Sequence, residues 1–178
     1  MHRTILQSSH KTVDNEDVLR LADVELSLVT DLLKRYGLSL LAISAGCDIP
    51  GSFWGDDEAG LIGSELLARD DTPLHSILHE TCHYVCMDKA RLEGLHTDAG
   101  GDYDEENAVC YLQILLADHI NQFGRQRMFK DMDRWGYTFR LGSAQAWFEH
   151  DADDARSYLL NFDLTDRHDR STFKLREQ

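Results

Sequence analysis

Proline is almost missing from this chain: Pro50 and Pro73 are the only two in 178 residues. A proline-rich arm or spacer is therefore excluded, and no Pro/Gly/Ser linker, internal repeat or low-complexity tract divides the text. Long apolar runs are missing too; none approaches the roughly 20 residues of a membrane helix. Residues 1–17, MHRTILQSSHKTVDNED, lack the continuous apolar core of a secretory signal. Basic charge is scarce: 18 Lys and Arg stand against 32 Asp and Glu, a net charge of -14. Such a surface repels phosphate backbones and anionic lipid, which argues against nucleic-acid and membrane partners. Cys47, Cys82, Cys86 and Cys110 form no CxxC, and the last three lie in apolar helical text. That pattern predicts reduced, mostly buried thiols and a cytoplasmic protein. There is no GxSxG and no phosphate-cradling glycine motif.

What is present suits one globular domain. Hydrophobic residues make up 42% and charged residues 28%, a mix that can bury a core. Residues 16–36 carry Val18, Leu21, Ala22, Leu28, Leu32 and Leu33 at helical spacing, with Gly37 where a C-terminal cap belongs. Residues 38–44 (LSLLAIS) and 61–69 (LIGSELLAR) read as strands of a small antiparallel sheet, separated by a turn-rich stretch with Pro50, Gly51 and Gly55. Asp70, Asp71 and Thr72 before Pro73 open a helix predicted to reach residue 89. A loop over 94–104 leads to an apolar helix over 105–120. Helical segments follow from Gln126 on, with Ser143 as an N-cap. This order predicts an α+β domain.

The chemistry concentrates in LHSILHETCHYVCMD, residues 74–88. His79-Glu80-Thr81-Cys82-His83 is HExxH, and residues four apart share one helical face, so both imidazoles can bind one Zn²⁺. Glu80 then lies beside the metal as general base for the activated water. The segment is apolar on nearly all sides, and buried imidazoles need partners that a metal can supply. Lys89 stands where a metzincin would place its third histidine, whereas the next helix opens with Glu105 and Glu106. A glutamate in the first turn of a helix packed beside HExxH can reach the metal.

HETCH followed by a helix beginning Glu105-Glu106-Asn107-Ala108 resembles the compact gluzincin-type zinc metallopeptidases, in which HExxH is followed by ExxA or ExxxD. The resemblance spans residues 16–120. It implies a minimal zincin-like fold with a helical extension over 121–178, and it implies that the glutamate of ExxA is the third zinc ligand. Matched residue by residue, Glu105 with Ala108 gives ExxA, so Glu105 leads and Glu106 is the runner-up. Glu105 shares an apolar face with Ala108, Leu112, Leu115 and Leu116, while Glu106 shares its side with Gln113. The family binds extended peptides on an edge strand, here LIGSELLAR, so a peptide or protein substrate is implied. Two departures stand out: Val109 replaces a common acidic residue, and the oxyanion-stabilising group is open among Tyr103, Tyr111, His96 and His119.

Other residues have alternatives. His75 shares the face of His79 as a helix-start histidine in contact with solvent or as a supporting group. Cys82 and Cys86 offer a rival Cys/His structural site. His96, Thr97, Asp98 and Asp102 form a loop that could orient an imidazole or be solvated. Asp151, Asp153 and Asp154 read as a solvated helix face, and Trp135, Tyr137, Phe139, Trp147 and Phe148 as anchors of the C-terminal helices. The sequence thus predicts a zinc-dependent hydrolase, with a non-catalytic metal-binding domain as the alternative, and leaves the oligomeric state open.

Overall fold

Two helices are apolar around almost their whole circumference, and such helices must be enclosed on every side. A computed structural model describes residues 17–52, 57–96 and 99–177. It builds the domain around these two, α2 (Leu74–Cys86) and α4 (Tyr103–Ala117), which pack against each other. Leu74, Ile77, Leu78 and Val85 of α2 and Leu112, Ile114 and Leu116 of α4 are fully buried. Each such side chain contributes about 1.5–3 kcal/mol relative to an exposed one. Around them lie α1 (Leu26–Lys34), β1 (Ser39–Ala42), β2 (Gly60–Ile62), β3 (Glu65–Ala68), α3 (Lys89–Glu93), α5 (Gly124–Trp135), α6 (Ala144–His150) and α7 (Asp153–Asn161). α5 and α7 cover the remaining sides of α4. The molecule is an α+β domain, and among the described residues no helix is long and apolar enough to cross a membrane.

Several predicted boundaries move. The helix read over 16–36 divides into a 3₁₀ turn, Leu21–Asp23, and α1, with Val24 and Glu25 extended between them; residue 16 lies outside the described residues. Tertiary hydrogen bonds explain the break: the Leu21 and Ala22 amides donate to Thr72 and Asp70 at the entry of α2. Gly37 does follow α1, at φ +77°, where a β-carbon would be strained. LIGSELLAR is a hairpin rather than one strand. Gly63 (φ +56°) and Ser64 form its two-residue turn, and Ile62 pairs with Glu65 across it. The sheet order is β1-β3-β2, and β1 runs parallel to β3, so the sheet is mixed rather than antiparallel. Gly55 of the intervening turn region lies outside the described residues.

α2 stops at Cys86 because Met87 turns extended, and Asp88 then caps the short α3 by accepting the Arg91 amide. α4 starts at Tyr103, two residues before its predicted start, because Asp102 accepts the Glu105 amide at 2.9 Å. Ser143 caps α6 as predicted. Asp153 and Asp154 are exposed in the first turn of α7, and Trp147 is buried against Phe139 and Tyr111.

β2 is seated by close backbone contact: a β-carbon on Gly60 would run into the Pro50 carbonyl. Because the obstacle is backbone, Gly60→Ala should cost roughly 1–3 kcal/mol. Urea unfolding should show a lower midpoint at unchanged slope; an unchanged midpoint would refute this reading of the contact.

Candidate metal centre

α2 carries His79 and His83 one turn apart on the side facing α4. The Nδ1–H of His79 donates to Gln113 Oε1 at 2.6 Å. An amide oxygen can only accept, so a proton sits on Nδ1, and in the neutral ring Nε2 is the atom with the lone pair. That Nε2 lies 3.1 Å from Nε2 of His83. From α4, Glu106 brings Oε1 to 3.6 Å from His83 Nε2 and Oε2 to 4.0 Å from His79 Nε2. Tetrahedral Zn²⁺ at about 2.0–2.1 Å from each donor would separate its ligand atoms by roughly 3.3–3.4 Å. The two imidazole nitrogens, at 3.1 Å, lie close to that value, while Glu106 approaches His83 through Oε1 and His79 through Oε2, and with one donor atom per residue all three lie within 4.8 Å of one another. His79, His83 and Glu106 therefore form a group that could hold a metal ion. Two buried atoms, His83 Nδ1 and Glu106 Oε2, have no hydrogen-bond partner among the described residues. The Gly101 amide donates to Glu106 Oε1 at 3.2 Å and orients the carboxylate.

Glu105, the leading candidate for the third ligand, is not at the histidines. It is buried and turned the other way, with both carboxylate oxygens held by Arg91 Nη1 at 2.9 and 2.7 Å. Arg176 adds a contact at 3.4 Å. Consecutive residues project about 100° apart on a helix, so the two glutamates cannot face the same neighbour. Glu106, the runner-up, is the one brought to the histidines.

Glu80 is partly exposed, yet its packed surroundings push its carboxyl up to about 8, with the nearby Glu58 and Glu106 carboxylates adding to burial. Sequence reasoning overlooked Glu58. Its Oε1 accepts from the Trp135 indole N–H at 2.9 Å, and the neighbouring Ala59 amide donates to Ser76 Oγ on α2. It missed Gln113 as a positioning group and Tyr137 as a neighbour of the histidines. The Tyr137 ring meets His79 edge-on at 5.8 Å, and its hydroxyl lies 3.3 Å from Nδ1 of His75. His75 is not in contact with solvent; it is 1% exposed and packs on Trp135 at 4.8 Å.

The remaining candidates lie elsewhere. Tyr103 is half exposed, Tyr111 stacks on Phe148 at 4.4 Å, and His119 meets Phe173 edge-on. His96 is exposed and forms a backbone bridge with Ile62 on β2. Thr97 and Asp98 lie outside the described residues, and Asp102 is occupied as the α4 cap. Cys82 and Cys86 are free, buried thiols outside the His/His/Glu group, and burial pushes both away from the thiolate form that binds metal. No family model, curated protein or solved structure matches the chain.

The buried imidazoles set a pH dependence for the metal-free protein. Burial lowers His75 from 6.5 to about 3 and His83 well below 6.5, in each case with His79 adding to the effect. Below about pH 6.5 the unfolded chain therefore binds protons that the native state refuses, and stability falls as pH drops. Glu80 acts oppositely: between 4.5 and about 8 the native state keeps a proton that the unfolded chain releases. Stability from this group is lost as pH rises through that window, by up to about 1.4 kcal/mol per unit. Urea midpoints measured on metal-free Glu80→Gln should lose that decline between pH 6.5 and 8. A wild-type slope retained in the variant would contradict the assignment.

Proposed function

We propose that this protein is a zinc-dependent hydrolase acting on peptide bonds. The observation that carries the reading is the convergence of His79, His83 and Glu106 with Glu80 at their side. Two imidazoles and one carboxylate are a donor set of catalytic zinc, which leaves the fourth position for water or substrate. Zn²⁺ held there would supply Lewis acidity and lower the pKa of water to about 7. Burial keeps His83 neutral, as a ligand must be, and Gln113 fixes His79 with its lone pair toward the group. Glu80 takes the proton of the attacking water and delivers it to the leaving amine. A base must begin as carboxylate, and the surroundings of Glu80 favour its protonated form in the metal-free protein; a bound dication would oppose that preference. Tyr137, whose ring meets His79 at 5.8 Å, joins the candidates for the oxyanion-stabilising group.

The peptide edge expected in LIGSELLAR is only partly open: β3 is the central strand of the sheet, and Ile62 of β2 is already bridged by His96, which leaves Gly60 and Leu61 as the positions of β2 where an extended peptide could add. The resemblance to gluzincin-type peptidases supports this reading through HExxH alone, because the glutamate of the ExxA match, Glu105, is paired with Arg91 and Arg176 away from the histidines. The free thiols favour a reducing compartment, the cytoplasm. A non-catalytic metal centre is the second reading, and the low exposure of His83, 4%, favours it.

The two readings separate in Glu80→Gln incubated with a peptide library. The hydrolase reading predicts cleavage by the zinc-loaded wild type and a loss of at least about 100-fold in the variant, with zinc retained on mass spectrometry. Cleavage at the wild-type rate by the variant would remove Glu80 as base. Zinc bound in both proteins and no cleavage by either would favour the non-catalytic centre.

A further inference from the structure

The first turn of α4 carries three adjacent carboxylates; Asp104 is exposed, and either Glu105 or Glu106 could compete for a cation held by the α2 histidines. The fold resolves the competition through Glu105. Its carboxylate is 3% exposed and lies between two guanidinium groups from distant parts of the chain. Arg91 bonds both of its oxygens and also reaches the Gly100 carbonyl at 2.7 Å and the Ala99 carbonyl at 3.3 Å. These bonds fix the loop that presents the Gly101 amide to Glu106. The loop needs glycine there, since a β-carbon on Gly101 would come within 2.6 Å of the Glu105 carboxyl carbon.

Arg176 works from the other side. Its backbone amide donates to the Val85 carbonyl at 3.0 Å, and its Nη1 donates to Cys86 O at 3.3 Å and Tyr158 Oη at 2.6 Å. Val85 and Cys86 close the helix that carries His83, and Glu105 opens the helix that carries Glu106. One arginine of the C-terminal tail thus joins the two elements whose relative position sets the group. Its guanidinium lies over Phe162 at 4.1 Å, which keeps it in place.

We infer that Arg91 and Arg176, acting through Glu105, are positioning residues that select Glu106 as the acidic member of the metal-binding group. The inference rests on the metal-centre reading. A buried ion pair contributes little net stability, and its best-attested use is to enforce one register over its alternatives. Here the alternative is a first turn of α4 rotated so that Glu105 approaches the histidines.

The test uses Co²⁺, whose visible bands report coordination geometry, on the full chain stripped of metal. Arg176→Met keeps the side-chain stem on Phe162, and Glu105→Gln keeps the volume while removing the charge. Both should weaken Co²⁺ binding by about 10–100-fold and change the visible bands. A merely structural role would lower the melting temperature and leave the bands of the bound ion unchanged. Wild-type affinity and an unchanged spectrum in both variants would overturn the inference while leaving the metal centre standing. Wild-type protein that takes up no Co²⁺ would overturn the metal-centre reading beneath it.

Discussion

Two imidazoles and a carboxylate enclosed between α2 and α4 are the constraint to which the surrounding structure answers. Neither helix has a solvent face wide enough to release these groups to water. Their desolvation cost, of order several kcal/mol when uncompensated, has to be met inside the seam. Gln113 meets part of it by accepting the Nδ1 proton of His79, and Gly101 meets part by donating to Glu106. Burial holds His83 neutral; its Nε2–H donates to His79 Nε2 in the metal-free protein, so coordination through Nε2 requires the ring proton to sit on Nδ1 instead. His83 Nδ1 and Glu106 Oε2 remain without a hydrogen-bond partner among the described residues.

The outer elements extend this logic. α5 and the residues after it carry Trp135 and Tyr137, which pack on His75 and His79 and hold Glu58 near Glu80. The C-terminal tail returns through Arg176 to the junction of the two central helices. The residues after 120 therefore do more than cover a hydrophobic face: Trp135 and Tyr137 pack on the histidines, and Arg176 pairs with Glu105. The acidic cluster of Glu58, Glu80 and Glu106 also raises the proton affinity of Glu80.

Much of this was readable locally and some of it was not. The α+β class, the HExxH helix, the glutamate-bearing helix and the Ser143 cap follow from periodicity and capping chemistry, which act over a few residues. The choice between Glu105 and Glu106 turned on two competing signals. The ExxA spacing favoured Glu105, while Gln113 shares its helical side with Glu106 and marks the polar face. An amide in otherwise apolar text has to find a partner, so the Gln113 signal was the physical one. The parallel pairing of β1, the break at Val24 and the capture of Glu105 by Arg176 depend on contacts between residues far apart in sequence. Local patterning does not encode those contacts.

The central claim is that α2 and α4 together present a metal site with Glu106 as its acidic ligand. It is tested most directly by metal analysis of wild-type and Glu106→Ala protein, each equilibrated with Zn²⁺ and then freed of excess. The expected result is an equimolar amount of zinc in the wild type and its loss in the variant, with the fold retained by circular dichroism. Zinc held equally by both proteins, or by neither, would contradict it.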